Sequence, residues 1–185
     1  MSTFVQRSVL ISSLLLSSAI YAVPGDRDLP IDIVADRNQG NLRANVMTYT
    51  GNVVITQGTL HIEGQEVVVY RNDNNEISRL VASGTEPAWV ADQFDLDEPI
   101  TRLEGQTVTY DAETGVITAQ GSARLQQGRN IATAHYIRYN QETDDFESNF
   151  RAPDGSEGER VSMCLTNEEE NGQTADRPAS CQNIR

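Results

Sequence analysis

From Ile31 to about Leu165, short stretches recur in which every second residue is apolar. Ile31 and Ile33 flank Asp32, Val53 and Ile55 flank Val54, and Leu60 and Ile62 flank His61. Val67 with Val69, Val108 with Tyr110, Ile117 with Ala119, and Ala123 with Leu125 continue the pattern. A period of two sends each set to one face of a strand, and no stretch carries the 3.6-residue period of a helix. Turn-forming clusters punctuate the alternation: RNQGN (Arg37–Asn41), TGN (Thr50–Asn52), RNDNNE (Arg71–Glu76), AETG (Ala112–Gly115), NQETDD (Asn140–Asp145) and PDGSEG (Pro153–Gly158). Their cadence predicts an all-β chain of stacked antiparallel strands, a dozen or more if each holds about five to six residues. The acidic stretch Val90–Thr101 reads as a long hairpin loop or a hinge between two half-units, and Arg160–Leu165 as one last strand.

A phrase also recurs. GNVVITQG (Gly51–Gly58) returns as GSARLQQG (Gly121–Gly128), and each copy runs into an alternating stretch that ends in a tyrosine, Tyr70 or Tyr139. Aligned on those tyrosines, the copies slip by one residue. A third relative, RLEGQTVTYD (Arg102–Asp111), matches HIEGQEVVVY (His61–Tyr70). Such self-similarity marks one β unit reused along the chain. Within it Val67 and Val69 share a face with Arg71, as Val108 does with Tyr110. Two readings of that face stay open. It is either an apolar interior ending in a cation, fit for an amphipathic ligand with its anionic head at the rim, or a closed core capped by Arg71.

The amino terminus changes the compartment. Met1–Ala22 has one cation (Arg7), an apolar run from Val9 to Ile20, and small residues before Val23, the form of a cleaved secretory signal. No cysteine follows closely enough for a lipid anchor. The expected organisation is signal peptide 1–22, one domain 23–165, and a polar, disordered tail 166–185. The net charge is −13, with 27 acidic residues, and all 14 basic residues are Arg. A field of that sign disfavours nucleic acid and anionic membrane surfaces as partners. Cys164 and Cys181 can pair at the chain end in an oxidising compartment.

The catalytic inventory is poor. His61 and His135 lie mid-strand and are expected to face outward. No phosphate loop, dinucleotide fingerprint, zinc-helix motif or nucleophile elbow is present. Asp92, Asp95, Asp97 and Glu98 lack the spacing of a calcium loop. Neither an enzyme nor a metal or cofactor site is expected.

Six segments carry a resemblance: GDRDLPIDIVAD (Gly25–Asp36), TYTGNVVITQGTLHI (Thr48–Ile62), VVVYR (Val67–Arg71), GQTVTY (Gly105–Tyr110), TAQGSARLQQGRNI (Thr118–Ile131) and IRYN (Ile137–Asn140). Together they closely resemble the LptA (OstA-like) family of periplasmic lipopolysaccharide carriers. The resemblance implies an open, twisted β-jellyroll whose V-shaped pair of sheets holds lipid A acyl chains. It implies head-to-tail stacking through edge strands, bridging an LptC-like inner-membrane protein to an LptD-like outer-membrane protein. Lipid-lining roles carry over to Arg27, Ile31, Ile33, Arg71 and Tyr110, with Trp89 or Val90 a looser match. Arg27 departs from the small polar residue expected at its position. The edges Pro30–Val34 and Arg160–Leu165 become the docking strands. Three alternatives stand beside this reading: an LptC-like module without bridging, a structural or adhesive β-solenoid with a dry interior, and an enzyme acting on envelope glycolipid.

Overall fold

The computed structural model describes residues 29–41, 43–93 and 99–165. The segments 1–22 and 166–185, with Arg27 and Cys181, lie outside them. Among the described residues ten strands follow one another: β1 (Asp32–Val34), β2 (Arg37–Asn41), β3 (Val46–Gln57), β4 (Leu60–Arg71), β5 (Ile77–Asp92), β6 (Thr101–Asp111), β7 (Val116–Gln127), β8 (Asn130–Asn140), β9 (Asp145–Asn149) and β10 (Ser162–Cys164). All pair antiparallel in one open sheet, in the order β1-β3-β4-β5-β6-β7-β8-β10. β2 shares the outer edge of β3 with β1, and β9 shares the outer edge of β8 with β10. Repeated hairpins produce this up-and-down order, because each strand pairs with its chain neighbours.

The central strands are long, and every pairing between them slips register near its middle. The slips fall at Thr50/Val53, Glu63/Glu66, Ser83/Ala88, Glu104/Thr107 and Gln120/Ala123. Aligned bulges bend the sheet along one line into two walls that face each other as a V. The first wall ends in the turns at 72–76, 112–115 and 141–144, and the second in those at 58–59 and 128–129.

The recurring phrase now has a physical meaning. Its opening glycines lie at the bend, with left-handed backbone at Gly51 (φ 80°) and Asn52 (φ 46°), and at Gly121 (φ 79°) and Ser122 (φ 48°). A Cβ on Gly51 would press on the Asp36 side chain and one on Gly121 on that of Gln106, and the left-handed backbone at both positions favours glycine. TGN is therefore a bulge inside β3 rather than a turn. RNQGN likewise forms β2, paired from Arg37 with Thr50 to Asn41 with Val46. As an exposed edge strand it buries no face and needs no apolar alternation. Fewer, longer strands result than the turn signals suggest. The copies also run without a slip: Val69, Tyr110 and Tyr139 hold equivalent inner positions, whereas Tyr70 faces outward under the Arg79 guanidinium, 4.3 Å away.

Two apolar rows line the inside. On the second wall Ile33, Ile55, Ile62, Val90, Leu103, Leu125, Ala132 and Met163 follow one another in register from β1 to β10. On the first wall Met47, Val69, Leu80, Tyr110, Ile117, Tyr139 and Phe146 do the same from β3 to β9. Residues of both walls form a single core cluster in which Val67, Val69 and Val108 are fully buried. The interior is thus filled by the protein's own side chains, which agrees with the closed-core reading of the valines.

Candidate functional site

Access to this interior is governed at the lips of the V, where hairpin turns of the two walls come face to face. Near the amino-terminal edge the lips stand apart. A cleft of about 550 Å³ lies there, lined by Leu29, Ile31, Gln57, Asn72, Asn75, Glu76, Ile77, Leu80, Tyr110, Ala112 and Glu113. Ile31, just ahead of β1, and Tyr110, near the end of β6, thus share one opening from opposite walls. Tyr110 is buried, at 4% exposure, while Ile31 and Ile33 are partly buried against the core. Ile33 lies deeper than the cleft, opposite Ile55. Arg71 stands at the rim, where Nη1 donates to Asn75 Oδ1 (2.9 Å) and Nη2 approaches Met47 Sδ (3.6 Å). Of the five lining candidates, the structure gathers Ile31, Ile33, Arg71 and Tyr110 about this end, and Arg27 falls outside the described residues.

Farther along, polar side chains connect the lips. Gln141 Nε2 donates to Asp92 Oδ2 (3.3 Å), and Thr59 Oγ1 donates to Asp92 Oδ1 (2.8 Å). Tyr139 OH and Gln127 Nε2 both donate to Asp144 Oδ1, at 2.7 and 3.4 Å. The sequence marks Asp92 only as part of an acidic cluster, Tyr139 as the end of a repeat, and Gln141 and Asp144 as turn residues, and it gives no pairing among them. One signal was available: Gln57, Thr101 and Gln127 are polar residues at inward parity, each at a strand end.

Trp89 does not line the trough. Ala88 and Val90 take the inner positions of β5, so the indole lies on the outer face, stacked on His61 at 4.7 Å and covered by Arg102 at 4.1 Å. Glu63 accepts from Trp89 Nε1 (3.1 Å), and Glu104 bridges Arg102 and Arg124, each 3.2 Å away. His61 belongs to this outer ladder, which crosses β4 to β7. His135 Nε2 and Ser156 Oγ are 2.9 Å apart. Two displaced pKa values also lie away from the interior. Asp154 is lowered to about 2 by hydrogen bonds from the Ser156 hydroxyl, the Ser156 N–H and Gln120, and burial raises the Tyr136 phenol. Among the described residues no group of His, Cys, Asp and Glu is placed to hold a metal ion.

The two ends of the sheet carry short strands. The edge around β9 and β10 exposes Phe146, Phe150, Val161, Met163 and Leu165, beside a cavity of about 120 Å³ that opens onto Leu125, Ala132 and Tyr139. Cys164, in β10, is disulfide-bonded.

Residues 32–145, from β1 into β9, match the family described as LptA/(LptD N-terminal domain) LPS transport protein. The lipopolysaccharide export system protein LptA of Escherichia coli (strain K12) is 36% identical over 120 residues, covering 64% of this chain and 64% of the relative. The chain therefore spans slightly less than two thirds of that protein. The Haemophilus influenzae protein of the same name is 30% identical over 142 residues, or 76% of this chain and 81% of the relative. The crystal structure of LptH, the LptA-homologous periplasmic component of the lipopolysaccharide transport device of Pseudomonas aeruginosa, has a TM-score of 0.71 at 24% identity. That likeness covers 78% of this chain and 100% of LptH, so the bent open sheet is a shared fold. With the matched segment spanning nearly the whole sheet, the chain belongs to the LptA/(LptD N-terminal domain) LPS transport protein family.

Proposed function

We propose that this chain is a non-catalytic periplasmic carrier that binds lipopolysaccharide by its lipid A acyl chains and passes it from inner to outer membrane. The observation that carries this reading is the pair of apolar rows running in register from Ile33 to Met163 and from Met47 to Phe146. They make a continuous apolar path from one sheet edge to the other, with a side opening at Ile31 and Tyr110. The relatives named lipopolysaccharide export system proteins support it. Each methylene moved from water into such a path contributes ~0.8 kcal/mol, so several acyl chains outweigh the repulsion between an anionic lipid and an acidic protein. Because the interior is filled, the walls must part as chains enter, exchanging wall–wall contacts for wall–lipid contacts. Ile31, Ile33 and Tyr110 then touch acyl chains, and Arg71, together with Arg27, offers cations to the anionic head.

The edges supply the bridge. β1 and β2 at one end, and β9 and β10 at the other, leave backbone donors and acceptors that an added strand can use. Head-to-tail addition does not close on itself and yields a filament, joining an LptC-like partner at one membrane to an LptD-like partner at the other. The filled interior favours one rival, a lipid-free structural β protein. Mass spectrometry of the mature protein purified from periplasm separates them. Co-purifying lipopolysaccharide is expected, whereas its absence together with no binding of added lipid A would overturn the proposal.

A further inference from the structure

The lips differ along their length. Asp92 and Gln127 end strands of the second wall, and Gln141 and Asp144 belong to the turn after β8 on the first. The hydrogen bonds from Gln141 to Asp92 (3.3 Å) and from Gln127 to Asp144 (3.4 Å) therefore cross the mouth of the V. Asp144 is held for this contact by the Tyr139 hydroxyl (2.7 Å), and Asp92 by the Thr59 hydroxyl (2.8 Å). Gln141 is buried at 7% exposure, whereas Asp144 is exposed and, with Gln127, borders the cavity of about 120 Å³. Beneath these contacts the apolar rows continue unbroken from Leu103 to Ala132 and from Ile117 to Phe146. The seam is thus a polar layer laid over an apolar path, flanked by the Ile31–Tyr110 cleft on one side and by the smaller cavity at Gln127 and Asp144 on the other.

We propose that these two crossings form a side latch, and that acyl chains enter the trough laterally, starting at the Ile31–Tyr110 cleft and advancing as the latch parts. The inference rests on the lipid-binding reading above and adds the route and its control. Parting the seam breaks side-chain hydrogen bonds and leaves every backbone ladder intact, because the walls stay joined along the bend. Each such bond holds the closed form by a factor of roughly five. Threading from an end would instead require an acyl chain to displace the packed side chains in sequence along the full path.

Stopped-flow uptake of lipid A carrying a fluorescent acyl chain, by the mature full-length protein, tests the route. Gln127→Glu and Gln141→Glu replace a donor by a carboxylate facing Asp144 or Asp92, and uptake should quicken roughly tenfold. Gln127→Arg offers Asp144 an ion pair, and uptake should slow. Tyr139→Phe frees Asp144 without adding charge and should quicken uptake by a factor of about five. Opposite shifts from Glu and Arg at one position are not what general damage to the fold produces, and unfolding midpoints measured alongside identify any variant that fails to fold. Binding by the wild type with rates unmoved across the set would overturn lateral entry alone. Failure of the wild type to take up lipid A would overturn the binding reading and the latch with it.

Discussion

Two stretches of the same trough share their walls and differ at their lips. Around Ile31, Leu80 and Tyr110 the walls stand apart over about 550 Å³, whereas from Asp92 to Asp144 polar side chains join them. The inner rows run through both stretches without a break. Apolar alternation therefore builds the walls, and a few polar residues at strand ends decide where solvent or ligand meets them. The largest consequence concerns packing. Leu103, fully buried between Val90 and Leu125, should lose about 3 kcal/mol on Leu103→Ala, read by chemical unfolding. Leu80→Ala should cost about 2 kcal/mol, near the low end of that range, because its side chain borders an existing opening. Equal losses would mean that the two stretches are packed alike.

The bend makes both stretches possible. Gly121→Val forces a β-branched residue into left-handed backbone and drives its Cβ against Gln106, so destabilisation of about 2–3 kcal/mol is expected in the same assay. A neutral result would remove the bend as the origin of the V. At the far end of the latched stretch, Val161→Pro alters an exposed residue beside β10 and should change stability by less than about 0.5 kcal/mol. It should nevertheless weaken recovery of the LptD-like partner in pull-downs by removing a backbone donor, and undiminished recovery would dissociate that edge from docking.

The smallest effect is one of pH. Asp154 holds the loop beside β8 by accepting from the Ser156 hydroxyl, the Ser156 N–H and Gln120, and its folded pKa is about 2 against an ordinary 3.8. A lowered folded pKa contributes stability above the unfolded value, lost as pH falls from about 4 through about 2. Hydrogen-exchange protection of residues 152–158 should fade over that window, and Asp154→Asn should abolish the dependence.

Much of this was readable from the chain. Period-two alternation placed Val53, Ile55, Leu60, Ile62, Val67, Val69, Val108 and Tyr110 inside, where they lie. The bends were not readable as bends, because Gly51–Asn52 and a hairpin turn use the same left-handed residues. β2 was hidden because a polar edge strand carries no apolar period, and the tyrosines misled because Tyr70 and Tyr139 sit one step apart in the repeat. Trp89 could have been placed outward from its neighbours, since Ala88 and Val90 already occupy the inner parity of β5. Inward polar parity at strand ends marked Gln127, but not its partner across the mouth, for the lip contacts join residues as far apart as Asp92 and Gln141 and arise only once two walls face each other.

Site-specific photo-crosslinking in cells tests the central claim most directly. A photoreactive side chain at Ile31, Ile33 or Tyr110 should trap lipopolysaccharide, while one at His61, on the outer ladder, should not. Equal labelling at all four positions, or labelling at His61 alone, would contradict an apolar trough that carries the lipid inside.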